Sequence, residues 1–282
     1  MALGKPDAGL PGVPLAVTAC WIAAVRAQES LRPDRLLDDP WAARLAGAEG
    51  EEWLQARGGS PALVVMVIRA RFFDDFLQRV TAGEGIRQVV LVAAGLDTRA
   101  YRLSWPGDVR VFELDQPGVL ARKQRFLDSA GAKPGCARLP IGVDLAGQWT
   151  APLLGAGFDP GAPSCWLAEG FLFYLPPDGI TRILDQVTRL AAAGSRLGFD
   201  IVNSATLTHP LTRPWIDMQA RAGAPWLGTL DDPAGFLAGR GWQATLTQPG
   251  EPGAHYGRWT FPVLAPGLAG APRNWFVTAR RR

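Results

Sequence analysis

Gln88-Val89-Val90-Leu91-Val92 runs straight into Ala93-Ala94-Gly95-Leu96-Asp97, and this junction constrains the fold more than any other stretch. A short apolar run stopped by small residues reads as a buried strand entering a ligand-binding turn. Small side chains at that turn let backbone N–H groups come close to a ligand. A second apolar run follows, Val109-Arg110-Val111-Phe112-Glu113-Leu114-Asp115, and it ends in acids. An acid at the tip of the second strand of an α/β sheet is placed to bind the hydroxyls of a ribose. Together the two signals point to an adenosine-type cofactor.

Strand-like runs occur at 87–94, 109–114, 137–143, 164–169 and 195–202, and helical segments alternate with them. The helix at 178–193 is well marked. Asp178 after Pro176-Pro177 is its expected cap, and Ile180, Ile183, Leu184, Val187 and Leu190 share one face. Such alternation implies a mainly parallel, Rossmann-like sheet with helices on both faces. Runs at 241–246 and 275–279 add two strands, expected to pair antiparallel at the sheet edge, for a seven-stranded α/β sheet. Ahead of the sheet, helical spacing marks 15–46, where Asp38-Asp39-Pro40 can cap a new helix, and again 61–80. Residues 1–14, with three prolines and three glycines, read as a loose lead-in. The expected organisation is one domain over 1–282. Residues 15–80 form its N-terminal helical cap, and the Pro-, Gly- and Trp-rich segments 203–240 and 248–272 are lid or substrate segments.

Composition removes several function classes. Net charge is +3 with no long basic run, and Arg280-Arg281-Arg282 reads as a solvated tail, so nucleic acid is not the expected partner. No apolar run reaches the ~18 residues of a membrane span, and the start of the chain lacks the order of a signal peptide. Cys20, Cys136 and Cys165 show no CxxC or metal spacing and read as reduced thiols of a cytoplasmic protein. With only His209 and His255, a His-rich metal centre is excluded, and no metal is expected.

The turn at 93–97 lacks GxGxxG, whose glycines bring a pyrophosphate onto a helix N-terminus. That weakens a nicotinamide-dependent oxidoreductase reading and suits S-adenosylmethionine, which has no pyrophosphate. Glu113 and Asp115, two apart on a strand, share a face. Ile141-Gly142-Val143-Asp144-Leu145 is a third strand ending in an acid, which can accept from an adenine amino group while Leu145 covers the ring; a helix cap is the alternative. In Cys165-Trp166-Leu167-Ala168-Glu169-Gly170-Phe171-Leu172-Phe173-Tyr174-Leu175-Pro176 one carboxylate sits in an apolar run. Burying it unpaired is costly, so Glu169 needs a partner: a cationic cofactor group or an arginine.

Arg69 on a helix, then AAGLDTRAYRL, FELDQP with Lys123 after it, IGVDL and WLAEGFLFYLP occur in that order. This series resembles the leucine carboxyl methyltransferase family, most of all its bacterial branch of S-adenosylmethionine-dependent O-methyltransferases, many linked to polyketide and other natural-product pathways. The similarity covers roughly residues 15–202, with a weaker match at Gly241-Trp242 and the last strand. It implies that Arg69 holds the methionine carboxylate and that Ala93 and Gly95 lie against the methionine moiety. Asp115 would bind the ribose, and Asp144 and Leu145 would frame the adenine. Asp97 in the turn and Gln116 beside Asp115 are counted with them as cofactor contacts. Glu169 would face the methionine ammonium near the reacting centre, and Tyr174 would lie by the acceptor. Ala93 stands where a glycine is frequent in the family. The protein-modifying relatives place a lysine ahead of an Asp-Pro like Asp39-Pro40; here Arg26 is the nearest substitute, which weighs against a protein substrate.

The expected activity is O-methylation of a carboxylate on a hydrophobic small molecule, with Arg26, Glu169 and Tyr174 as the catalytic set. An ionised carboxylate needs no strong base, which fits the shortage of histidine. Peptide or protein C-termini and hydroxyl acceptors are the alternatives within this class; a non-catalytic S-adenosylmethionine-binding module is the alternative outside it. Trp215, Trp226, Trp242 and Trp259 are candidates for the walls of an apolar acceptor pocket.

Overall fold

Seven strands form one sheet in a computed structural model that describes residues 15–56 and 61–282. In chain order they are β1 (Gln88–Val92), β2 (Arg110–Asp115), β3 (Ala137–Gly142), β4 (Ser164–Ala168), β5 (Arg196–Val202), β6 (Trp242–Thr247) and β7 (Asn274–Arg281). Their spatial order is β3-β2-β1-β4-β5-β7-β6. The first five pair in parallel, with Val90 opposite Phe112 on one side and Trp166 on the other. β1 and β4 are buried at every position, as expected where helices cover both faces of a parallel sheet. β3 carries Pro140 and is the exposed edge, the place where a missing N–H does least harm.

The expected antiparallel pair is present at the sheet edge, with β7 between β5 and β6 and β6 outermost. One consequence corrects the reading of the C-terminal arginines as a solvated tail. β7 continues through Arg281, whose N–H donates to the Ser195 carbonyl, and the Arg282 N–H donates to the Gly241 carbonyl. Backbone pairing across two neighbours holds residues whose side chains alone would favour water.

Three helices precede the sheet: α1 (Leu15–Ser30), α2 (Ala42–Ala56) and α3 (Pro61–Gln78), the last continuing as one wide turn over Arg79–Gly83. α1 and α2 pack so closely that a Cβ at Gly50 would strike the Cys20 carbonyl. The Asp38-Asp39-Pro40 cap is realised only in part: Pro40 and Trp41 form a turn ahead of α2, in which the Asp39 carboxylate accepts the Trp41 N–H at 3.2 Å and the Asp39 carbonyl accepts the Ala42 N–H. The loose lead-in read at 1–14 lies outside the described residues.

Short α4 (Arg99–Arg102), α5 (Pro117–Ser129) and α6 (Thr150–Gly155) join the first four strands. α7 (Pro177–Leu190) follows β4 and buries the five apolar residues read from its sequence. Its cap differs from expectation. Pro177, which has no N–H to leave unpaired, is already helical, so Asp178 lies in the first turn rather than at the cap. There its charge still complements the helix N-terminus. The segment 203–240 folds into α8 (Ser204–Thr208), α9 (Arg213–Arg221) and α10 (Pro233–Ala238), while 248–272 is irregular. The three cysteines are free thiols, and among the described residues no helix is long and apolar enough to cross a membrane.

Candidate functional site

The strand order reverses beside β1: chain connections run to β2 and β3 on one side and to β4 and β5 on the other. A crevice must open there, at the carboxyl ends of the strands. A cavity fills it, walled by the turn after β1, the tips of β2 and β3, the loop after β4, and the inner faces of α1 and α3.

The turn is the tightest part. Ala93 (φ 56°) and Gly95 (φ 48°) both take the left-handed conformation. Glycine adopts it freely, whereas Ala93 adopts it against the steric preference of an L-residue. Asp115, at the end of β2, closes the turn from the other side. Its two carboxylate oxygens accept the Gly95 and Gln116 N–H groups, each at 2.6 Å. Burial raises its pKa above the ordinary value, although these two N–H groups work the other way. Asp115 lines the cavity with Gln116, Asp144 and Leu145. Asp144 also accepts the Ala146 N–H at 2.9 Å, so the helix-cap alternative is partly realised as a local turn.

Glu113 does not accompany Asp115. It shares the face but sits one step deeper, fully buried, with Lys123 Nζ and an Arg138 guanidinium nitrogen each 2.7 Å from the same carboxylate oxygen. Lys123 also donates to the Asp97 carbonyl at 2.8 Å, so the deeper acid props the turn from below.

Glu169 finds arginines as partners. Arg69 Nε donates to it at 3.0 Å and an Arg99 guanidinium nitrogen at 2.6 Å. Arg69 also donates to Asp200 on β5 at 2.8 Å, and the other Asp200 oxygen accepts the Gly170 N–H at 2.6 Å. Of the two partners left open for Glu169, the fold supplies the arginine. Its side chain keeps 14% exposure, enough to present an edge to the cavity.

Arg99 is the member that sequence reasoning missed. Fully enclosed, it binds Asp74 of α3, Asp97 of the turn and Glu169 of the β4 loop, and also reaches the Ala70 carbonyl. Arg102 pairs with the same Asp74 at 2.6 Å. Burial acts to raise the Asp97 pKa, but Arg99, Lys123 and Arg102 outweigh it and hold the carboxyl at about 2. A signal for this network was present. Asp74 in FFDDF and Asp200 in GFDIV are acids in apolar runs, as Glu169 is, and each needs a cation for the same reason.

Arg26 lines the cavity, yet two of its N–H groups are committed: one to Asp39 and one to the Leu96 carbonyl, both at 2.8 Å. Thr98 donates to the same Asp39 oxygen at 2.5 Å. Tyr174 lines the cavity too, with its phenol pushed up to about 12 chiefly by burial. The structure therefore gathers Arg26, Arg69, Ala93, Gly95, Asp97, Asp115, Gln116, Asp144, Leu145, Glu169 and Tyr174 around one cavity.

The tryptophan walls are a correction. None of the four lines this cavity. Trp215 packs on Trp21, Trp226 on Phe173 and Trp259 on Phe261, while Trp242 is fully buried and donates to Thr188. Large rings in this chain serve packing because each has an apolar neighbour within reach. Among the described residues, no group of three or more His, Cys, Asp and Glu side chains is placed to hold a metal ion.

Comparison with known proteins agrees with the geometry. The family model described as leucine carboxyl methyltransferase matches residues 19–188. A Mycolicibacterium smegmatis protein named "Putative S-adenosyl-L-methionine-dependent methyltransferase" is 40% identical over 88% of each chain. A Streptomyces coelicolor protein of the same description is 38% identical over 99% of this chain and 97% of its own. Among solved structures, a methyltransferase-like protein from Thermobifida fusca superposes with a TM-score of 0.62 at 18% identity, over 96% of this chain and 98% of its own; it shares the fold.

Proposed function

The chain belongs to the leucine carboxyl methyltransferase family and is an S-adenosylmethionine-dependent methyltransferase, and we propose that it esterifies the carboxylate of a hydrophobic small molecule. The nicotinamide-dependent alternative is set aside with this membership. When bound, S-adenosylmethionine supplies a sulfonium methyl group; an acceptor oxygen forms the new C–O bond while the S–CH3 bonding pair returns to sulfur, leaving a methyl ester and S-adenosylhomocysteine.

The residues fit that cofactor. Asp115 is buried and held by two backbone N–H groups, and each oxygen retains a lone pair for a ribose hydroxyl. Asp144 and Leu145, just past the end of β3, line the cavity and would frame the adenine. Arg69 and Glu169 line the cavity as an ion pair and would face the methionine carboxylate and ammonium, with Asp200 holding Arg69 in place. Ala93, Gly95, Asp97 and Gln116 border the same space.

One observation carries the choice of acceptor. Among the described residues the cavity wall contains no His, Cys or Lys, and burial pushes the Tyr174 phenol up to about 12, so it stays protonated at neutral pH. An acceptor that must first lose a proton finds no imidazole, thiol or amine among these residues to take it. A carboxylate arrives ionised. Tyr174 then donates a hydrogen bond to it, and catalysis rests on alignment and exclusion of water. Arg26, which lines the cavity, acts as a positioning residue through Asp39 and the Leu96 carbonyl. The segments 203–240 and 248–272 serve as lid and substrate elements.

The test is chemical. Product labelled from methyl-labelled S-adenosylmethionine should release methanol in mild alkali, as esters do. A base-stable label would mean an ether and a hydroxyl acceptor.

A further inference from the structure

A second cavity lies between α1 and α3, lined by Leu63, Val64, Gln28, Glu29, Arg32 and Arg258 together with Val25 and Val67. Val25 and Val67 also line the cofactor cavity, where Ile22 and Met66 stand beside them. The two spaces therefore share a wall of aliphatic side chains, and the outer one ends at a polar rim. Arg258 forms part of that rim because it bridges Glu29 and Asp34, at 2.7 and 2.8 Å, and so draws the 255–259 turn over the end of α1.

We propose that the outer cavity is the distal subsite for the acceptor, and that the acceptor is an elongated aliphatic carboxylic acid whose chain passes Val25 and Val67. This deepens the methyltransferase reading and rests on it. Three observations support it. The inner and outer spaces adjoin across the Val25 and Val67 side chains, which line both. The lining is aliphatic rather than aromatic, which suits a flexible chain better than a flat ring system; the tryptophans that would have favoured a ring are elsewhere. The rim is charged and polar, so the far end of the acceptor meets water. The length also follows. Ile22 at the inner space and Glu29 at the rim are seven residues apart on α1, about 10 Å of helix, or roughly eight methylenes.

The probes are butanoate and decanoate, titrated calorimetrically into the S-adenosylhomocysteine complex. Wild type should bind decanoate at least tenfold tighter than butanoate. Val64→Trp fills the outer cavity alone. It should abolish that preference while leaving butanoate and S-adenosylhomocysteine affinities within about twofold, well below the tenfold step that 1.4 kcal/mol represents. Should Val64→Trp fold poorly, Gln28→Trp at the exposed rim makes the same test. Equal affinity for the two acids in wild type, no binding of either, or undiminished decanoate binding in a correctly folded blocked variant would overturn the subsite. Failure of wild type to bind S-adenosylhomocysteine would instead overturn the cofactor assignment beneath it.

Discussion

Asp115 does two things with one carboxylate: it ties the turn after β1 to the start of α5, and it offers its remaining lone pairs to the cavity. Asp115→Ala should weaken S-adenosylhomocysteine binding by about 1–3 kcal/mol, the range for hydrogen bonds to a charged group, as read by calorimetry. Unchanged affinity would remove Asp115 from the ribose site. Asp97 makes a separate prediction about acid. Its folded pKa of about 2 lies below the ordinary 3.8, so its stabilising effect is complete above the unfolded value and is lost as pH falls from there through about 2. The loss amounts to about 2 kcal/mol. Urea unfolding of wild type between pH 4 and pH 2 should show this decline, and Asp97→Asn should flatten it. An equal decline in the variant would place the acid sensitivity elsewhere.

At the scale of elements, the turn after β1 is held by α1 and the segment ahead of α2. Arg26 of α1 meets Asp39 ahead of α2 and the Leu96 carbonyl of the turn, and Ser30 accepts the Asp39 N–H at 2.9 Å. Asp39 is buried, so removing its cation leaves a charge with only hydroxyl and amide partners. Arg26→Ala should cost about 3 kcal/mol of stability, the lower end for breaking a buried pair by deleting one partner. Because the turn loosens with it, cofactor affinity and acceptor KM should both worsen. A variant of wild-type stability that loses only kcat would restore Arg26 to a direct catalytic role. α1 and the segment ahead of α2 are thus fastened to the turn after β1 through Asp39 and through Arg26, which also lines the cavity.

Across the whole molecule, the cavity lies where α1, α3, the first turn and the β4 loop converge. A ligand there bridges cap and sheet, and it binds only the folded state. Saturation to 100 times Kd should add about 2.7 kcal/mol of stability. For a chain of 282 residues that is a rise in Tm of roughly 4–5 °C. Differential scanning calorimetry with S-adenosylhomocysteine should show this shift, and NAD at the same concentration should produce none. Equal shifts with both would mean that the crevice reads only an adenosine.

The strands, the parallel core of the sheet, the turn at 93–97 and the acid at 115 were all legible from the residues. Each is set by local physics: an unbroken apolar run cannot face water, small residues permit a left-handed turn, and a strand tip places its last side chain in the crevice. The helix over 177–190 was legible for the same reason, since its apolar period is contained within its own length. Partners were not legible. Glu113 and Asp115 look alike on one strand face, and only the position of α5 decides that Lys123 takes the deeper acid. Arg69 and Asp200 are 131 positions apart, and Arg99 joins three elements that no local period connects. Likewise the Arg-rich end became strand because Ser195 and Gly241 presented free carbonyls, and the tryptophans went to packing because aromatic neighbours lay within reach. Hydrophobic period and turn chemistry act over a few residues and belong to the sequence; which charge meets which, and which ring lines a cavity, depends on elements brought together from across the chain.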